Sequence, residues 1–316
     1  MRKKSIWLLM AVLFVTLIMA GCGPRKQASE PSGQVFAELK DANGRNVKLT
    51  KKPERIVVTS ASFLEPLHEV GGDVVGRPDS KTMMPAFAKD KTSIGRAYNI
   101  DLEKLMGCNP DLVILNKSTN EKLIQPLENA GIPVVVVNMK SYDDVKNGLR
   151  LFSSVTGEKD KGEKLIADMD KRIEEVKVKL PKNHVRALIL HSTSQSISVQ
   201  LDSSIAGSVA KMLGFTNVAA GMKSMDNNPD AAPYSIETVV EQNPDVIFVT
   251  SMGKIDDIKA SMEQMMQMNP AWQSIPAVRD KKVYYLSQDH FLLTPCIHYP
   301  EAVEEMAKLI YPEAFK

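Results

Sequence analysis

One sequence pattern occurs twice in this chain, and it decides the fold. Residues 99–115 read NIDLEKLMGCNPDLVIL, and residues 233–249, which begin 134 positions later, read PYSIETVVEQNPDVIFV. In both copies apolar residues recur at helical spacing, an Asn-Pro-Asp step follows, and a short run rich in Val, Ile and Leu comes last. Proline disfavours helix in the residue before it, so the step ends the helix, and the run after it is typical of a buried strand. The repeat predicts two similar α/β lobes.

Strand-like runs on either side of both copies extend this pattern. They lie at residues 55–59, 112–115 and 134–137 in the first half, and at residues 186–190, 246–250 and 283–286 in the second. Helical patterns separate them, as parallel βαβ units require. Ahead of them, residues 36–49 carry the turn signal Asp-Ala-Asn-Gly between two alternating runs, which predicts a hairpin. We therefore expect an α/β fold of two Rossmann-like lobes with central sheets, at residues 34–157 and 182–316.

A charged, periodic segment joins the two predicted lobes. Residues 158–180 read EKDKGEKLIADMDKRIEEVKVKL, with apolar residues at helical spacing, and Pro181 follows. A helix of this length measures about 34 Å, which is enough to span a small domain. We expect residues 158–181 to form one long helix that bridges the lobes as a stiff spine. The alternative is an ordinary surface helix within a single domain.

The N-terminus has the anatomy of an export signal. Basic residues at positions 2–4 precede a mostly apolar run at residues 6–20, and Met-Ala-Gly-Cys closes the segment at Cys22. The run is short for a membrane span, and the small pair before Cys22 resembles a bacterial lipobox. We expect residues 1–21 to be a lipoprotein signal peptide, Cys22 to carry lipid, and the polar residues 22–33 to form a flexible tether. The protein would then be extracytoplasmic and anchored to the cell membrane through Cys22.

Composition excludes several classes of protein. The 40 basic and 38 acidic residues of the 316 give a net charge of +2, which argues against a nucleic-acid binder that works by phosphate neutralisation. Three cysteines cannot build a disulfide scaffold. No GxSxG, HExxH, P-loop or GxGxxG motif stands at a strand–helix junction, so we expect a protein that is not an enzyme.

An ordered set of short segments across the body resembles the iron-complex, haem and cobalamin class of periplasmic binding proteins. The segments are KPERIVV at 52–58, SASFLE at 60–65, both Asn-Pro-Asp copies, GIPV at 131–134, and the stretch from Trp272 to Tyr284. The resemblance covers residues 34–316 and implies a two-lobe fold bridged by one helix. It also implies a monomeric substrate-binding lipoprotein that delivers an iron complex to an ABC permease and its ATPase. The ferric siderophore or haem is cargo, so no resident cofactor is implied.

The resemblance also suggests how the protein docks on its permease. Members of the class present one glutamate on each lobe to arginines of the permease. The first-lobe position is similar to Glu65, and a carboxylate at a helix start is favoured by the helix dipole and can accept a bidentate arginine. The matching second-lobe helix at residues 203–213 contains no acid, and Asp202 is the nearest.

Loops at the carboxyl ends of the predicted strands supply the expected ligand-binding residues. These residues are Arg96, Tyr98, Met252, His290, His298 and Tyr299. By analogy with haem-relay members of the class, Tyr98 and Met252 would be the metal ligands if the cargo is haem. His68, His184 and His191 fall at strand or helix positions, so we do not assign them to the site. Two other cargoes stay open, namely cobalamin and a bare metal ion of the manganese or zinc type.

Overall fold

The repeated Asn-Pro-Asp step adopts the same backbone conformation in both halves of the chain. In the computed structural model, which describes residues 35–80 and 84–316, Asn109 and Asn243 both have φ 46°. Asparagine tolerates this left-handed region better than most residues. Each asparagine separates a short helix from a buried strand, Leu102–Gly107 from Leu112–Asn116 and Ile236–Gln242 from Val246–Met252. The predicted order of helix, turn and strand is confirmed in both copies.

An arginine forms the same set of hydrogen bonds to each Asn-Pro-Asp step. The backbone N–H of Arg55 donates to Asp111 Oδ1 at 2.8 Å, and that of Arg186 donates to Asp245 Oδ2 at 2.8 Å. In both copies the arginine Nη2 also donates, at 2.6 Å, to the carbonyl just before the asparagine. In both halves, therefore, the same hydrogen bonds hold the start of the arginine's strand against the start of the strand that follows the Asn-Pro-Asp step.

The N-terminal lobe contains a hairpin and a six-stranded sheet. Its strands are β1 (Ala37–Lys40), β2 (Asn46–Leu49), β3 (Ile56–Val58), β4 (Val74–Asp79), β5 (Thr92–Arg96), β6 (Asn99–Ile100), β7 (Leu112–Asn116) and β8 (Val134–Val137). Strands β1 and β2 pair antiparallel, with Ala37 opposite Leu49, which confirms the predicted hairpin. The sheet order is β6-β5-β4-β3-β7-β8, and every pair is parallel except β5 with β6.

The C-terminal lobe contains a second six-stranded sheet with a shorter parallel core. Its strands are β9 (Arg186–Thr193), β10 (Ile197–Gln200), β11 (Thr216–Asn217), β12 (Ala231–Pro233), β13 (Val246–Met252) and β14 (Val283–Tyr285). The order is β12-β10-β9-β13-β14, with β11 also paired to β9. Strands β9, β13 and β14 run parallel, whereas β10 pairs antiparallel with both of its neighbours, β9 and β12.

Helices cover both sheets. They are α1 (Leu64–Glu69), α2 (Leu102–Gly107), α3 (Lys117–Asn120), α4 (Ile124–Asn129), α5 (Tyr142–Thr156), α6 (Lys159–Lys177), α7 (Ile205–Met212), α8 (Ile236–Gln242), α9 (Ile255–Met268), α10 (Pro270–Ser274), α11 (Pro276–Arg279), α12 (Gln288–Phe291) and α13 (Tyr299–Ile310). Single 3-10 turns lie at Ala61–Phe63, Ala86–Ala88, Glu121–Leu123, Cys296–His298 and Pro312–Phe315. The architecture is the expected α/β fold with two lobes.

Helix α6 lies where the bridging helix was expected and is shorter than residues 158–181, since its last helical residue is Lys177. It packs against α5 and α13. Its buried side chains Ile166, Met169 and Ile173 belong to one core cluster that also contains residues of both sheets, such as Ile114 and Ile189. Residues Phe36–Lys316 accordingly form one compact unit.

The expected signal peptide at 1–21, the lipidation site Cys22 and most of the tether at 22–33 lie outside the described residues. Among the residues that the structure does describe, no helix is both long enough and apolar enough to cross a membrane.

Candidate functional site

A cleft of about 1000 Å³ opens between the two lobes. Five of its N-terminal-lobe residues end the parallel strands of that sheet or follow them within two positions, namely Ser60, Asp79, Arg96, Asn116 and Asn138. Side chains at the carboxyl ends of parallel strands meet at one edge of a sheet, which is where open α/β folds bind ligands. The C-terminal lobe closes the opposite wall with the ends of β9 and β13, the first turn of α7 and the loop at residues 291–294.

A tight turn between β5 and β6 presents Arg96 and Tyr98 to the cleft. Gly95 has φ 92°, a conformation that favours glycine, and Asn120 Nδ2 donates at 2.7 Å to the carbonyl of Ala97 in the turn. Arg96 Nη1 donates to the Tyr98 hydroxyl at 2.7 Å, and Tyr98 remains 65% exposed. The structure therefore brings two of the expected residues together as a cation beside a phenol.

The opposite wall contains a histidine that the sequence analysis did not assign to the site. His191 lies on β9 and Thr250 on β13, and the two residues are directly paired in the parallel register. His191 Nδ1 lies 3.0 Å from Thr250 Oγ1, and both residues line the cleft. Burial lowers the pKa of His191 below its ordinary value. The sequence analysis placed His191 at a strand or helix position, and it does lie on a strand, but the local sequence could not show that this strand ends at a cleft.

One ion pair crosses the cleft. Lys140, which follows β8, pairs with Asp230, which precedes β12. Their side chains are 35% and 19% exposed, and both residues line the cleft. The pair neutralises two charges that would otherwise act on a bound ligand.

The structure does not bring Met252 or His290 to the cleft lining. Met252 ends β13 and is 54% exposed, beyond the part of the strand that faces the cleft. His290 Nδ1 lies 2.7 Å from Glu305 Oε2, so this ring is held against α13. The loop expected to carry His290 does reach the cleft, but through residues 291–294. The proposed haem pair of Tyr98 and Met252 is therefore not assembled in this structure.

His298 and Tyr299 lie between the lobes rather than on the cleft surface. Tyr299 is fully buried, and its hydroxyl donates to the carbonyl of Lys140 at 2.6 Å, so it contacts protein instead of cargo. His298 Nε2 lies 3.0 Å from Glu65 Oε2. Glu65, the expected docking residue, is partly exposed near the start of α1, and α7 of the other lobe has no acid in its first turn.

Within residues 35–80 and 84–316, no group of three or more His, Cys, Asp or Glu side chains is placed to hold a metal ion. Cys108 and Cys296 are both free thiols. The alternative of a bare manganese or zinc ion as cargo therefore has no candidate site in the described part of the chain.

Comparison with known proteins agrees with this geometry. Residues 56–290 match a family model described as "Periplasmic binding protein". The chain belongs to this family. Like other members, this binding protein is a solute-binding component of ABC import and not an enzyme, as expected. Relatives of this binding protein include proteins named for ferric citrate, ferric hydroxamate and heme uptake.

Three matches illustrate these likenesses. The binding protein is 26% identical over 301 residues to the Fe(3+)-citrate-binding protein YfmC of Bacillus subtilis, which covers 91% of this chain and 90% of the relative. It is 28% identical over 295 residues to the iron(3+)-hydroxamate-binding protein FhuD of the same species, which covers 89% and 90%. The crystal structure of Staphylococcus aureus IsdE complexed with heme superposes with a TM-score of 0.70 at 22% identity, over 81% of this chain and 98% of that one. This last match concerns the fold alone.

Proposed function

We propose that this protein captures a ferric chelate built from oxygen donors in its cleft and delivers the chelate to an ABC permease. The observation that carries the proposal is the composition of the cleft walls. The N-terminal wall presents hydroxyl and amide side chains together with Arg96 and Tyr98, and the C-terminal wall adds apolar side chains such as Phe291 and Leu293. Hydrogen-bond donors of this kind suit the carboxylate, hydroxamate or catecholate oxygens that surround chelated ferric iron.

The haem alternative lacks the pair of iron ligands that was expected by analogy. A haem that is held on both faces needs one protein ligand on each side of its iron. The axial pair expected by analogy does not meet across the cleft, since Met252 lies outside its lining. Relatives named for ferric citrate and ferric hydroxamates support a ferric chelate as cargo. The cleft volume of about 1000 Å³ is at the upper end of the ligand-pocket range, which suits a bulky chelate.

Lipidation and docking complete the proposal. Lipid on Cys22 would hold the protein on the outer face of the cell membrane, with residues 22–33 as the tether. The naming of several relatives as substrate-binding lipoproteins supports this anchor. The exposed part of the Glu65 carboxylate would meet an arginine of the permease, whose ATPase drives import.

Isothermal titration calorimetry tests the cargo. We expect the full chain, purified in detergent, to bind ferric citrate or a ferric hydroxamate at micromolar concentration or tighter, and to bind haem and cyanocobalamin more weakly. Arg96→Gln should weaken binding of the preferred chelate. Arg279→Gln, the same change at an exposed position on α11 outside the cleft, should leave the affinity unchanged. Tightest binding of haem, or no binding of any ferric chelate, would refute the proposal.

A further inference from the structure

The hydrogen bonds around Thr250 determine which nitrogen of His191 carries the proton. Thr250 Oγ1 lies 3.1 Å from the carbonyl oxygen of Leu190, which can only accept, so the single hydroxyl proton is donated there. His191 Nδ1 lies 3.0 Å from the same Oγ1, which must therefore accept. Nδ1 carries the proton, and in the neutral imidazole Nε2 carries the lone pair.

The lone pair on Nε2 is available to a ligand. Within residues 35–80 and 84–316, Nε2 of His191 has no hydrogen-bond partner, and it is not one of the buried polar atoms left unpaired. It is therefore open to solvent on a residue that lines the cleft. Burial lowers the pKa of the ring, so it is neutral at neutral pH.

The Nδ1 hydrogen bond of His191 is of the kind that orients metal-bound histidines. A histidine that ligates a metal nearly always donates its other ring N–H to a fixed acceptor, which sets both tautomer and orientation. Here the acceptor is a 4% exposed threonine on the neighbouring strand, itself anchored on the β9 backbone. His191 and Thr250 are also direct partners in the parallel pairing of β9 and β13, so the ring is positioned by a sheet rather than by a loop.

We propose that Nε2 of His191 coordinates the iron of a ferric chelate that supplies fewer than six donor atoms. The inference rests on the proposed function and narrows its substrate class to chelates with an open coordination position, such as tetradentate ones. On binding, a bond forms between Nε2 and iron, and the bond between iron and its coordinated water breaks. The water leaves to solvent, Nδ1 keeps its proton, and the iron stays ferric.

The test compares two probes that differ in denticity, the ferric complexes of a tetradentate dihydroxamate and of a hexadentate trihydroxamate. For the wild-type chain we expect the tetradentate probe to bind more tightly and to shift its charge-transfer absorption band on binding. His191→Ala should weaken binding of that probe by about tenfold or more and abolish the band shift, while affinity for the hexadentate probe stays within about twofold. His184→Ala, the same change at an exposed histidine outside the cleft, should alter neither.

Two further variants separate coordination from other roles. Glutamine can accept a hydrogen bond but is a poor iron ligand, so His191→Gln should weaken binding of the tetradentate probe as much as His191→Ala does. Thr250→Val removes the acceptor that fixes the tautomer and should cost about tenfold for the same probe. Full binding and band shift in His191→Gln, or equal affinities of wild type and His191→Ala, would overturn the coordination and leave the proposed function standing. Failure of the wild type to bind either probe or ferric citrate would refute both.

Discussion

Gly207 offers a sharp test of how closely α7 approaches the loop that precedes it. A Cβ atom at this position would overlap the carbonyl oxygen of Leu201 and lie 2.8 Å from the Cα of Asp202. Both obstacles are backbone atoms, so no flexible side chain can move aside. The same carbonyl also accepts from Ser204 Oγ at 2.7 Å, and Ser204 Oγ accepts from the Gly207 N–H at 3.0 Å as the N-cap of α7. Gly207→Ala should therefore displace the start of this helix.

The magnitude follows from three contributions. Overpacking against a fixed neighbour costs about 1–3 kcal/mol, and the immovable backbone places this site near the upper end. Disturbing the Ser204 cap costs about 1 kcal/mol more. Replacing a helical glycine by alanine returns about 1 kcal/mol. We expect a net loss of about 2–3 kcal/mol in the free energy of unfolding, which lowers the melting temperature by about 3–5 °C for a unit of this size.

Gly107 provides the matched control. It is the last residue of α2, and a Cβ there would have no atom within 4 Å. Gly107→Ala should leave the melting temperature unchanged or raise it slightly. Differential scanning calorimetry measures both variants, and titration with the preferred ferric chelate should also show weaker binding for Gly207→Ala, because residues 204–206 line the cleft. Equal melting temperatures for the two variants would refute the close approach of α7.

Three further predictions concern side chains at or beside the cleft. Tyr299→Phe removes the donor to the Lys140 carbonyl and should cost about 1–2 kcal/mol in unfolding free energy, measured by thermal denaturation; an unchanged melting temperature would contradict the contact. Asp230→Asn should lower the free energy of unfolding by less than about 1 kcal/mol, because the ion pair with Lys140 is partly exposed. Affinity for an anionic chelate should rise, because Lys140 loses its counter-charge. A double-mutant cycle with Lys140→Met checks the pairing. Burial lowers the pKa of His191, so protonation of Nε2 should become substantial only below about pH 6.5. Binding of the tetradentate chelate should weaken over the same pH range. Titrations at several pH values test this, and weaker binding at or above about pH 6.5 would contradict it.

The repeat made the fold predictable from sequence because its signals are local. A proline after a left-handed asparagine ends a helix wherever it occurs, and a short Val/Ile run reads as a buried strand in either lobe. The length of α6 was less predictable. Apolar spacing continues to Leu180, but the regular helix ends at Lys177, and a tighter turn follows in which Lys179 and Leu180 bond to the residues three positions earlier.

The site was predictable only in part. Arg96 and Tyr98 were expected in a loop just before the first repeated helix, and both line the cleft. His191 was missed because its role depends on the register between β9 and β13, two strands about sixty residues apart, and no local pattern encodes that register. Tyr299 was assigned to the cleft because its loop was correctly placed there, but which side of a loop faces the ligand depends on packing, and this ring faces the core.

The segment before α13 explains why we expect capture of cargo with little movement of the lobes. Cys296 has φ 49°, and its thiol, whose pKa burial raises to about 12, donates at 3.2 Å to the carbonyl of Ser62 in the N-terminal lobe. The next residues add the contacts of His298 with Glu65 and of Tyr299 with Lys140. This segment therefore holds the lobes together in addition to α6 and the Lys140–Asp230 ion pair. A hinge that opened widely would have to break these partly buried hydrogen bonds, each of which contributes about 1 kcal/mol. Rotation of exposed side chains such as Tyr98 costs less, so we expect the cleft to close around its cargo chiefly through such side chains.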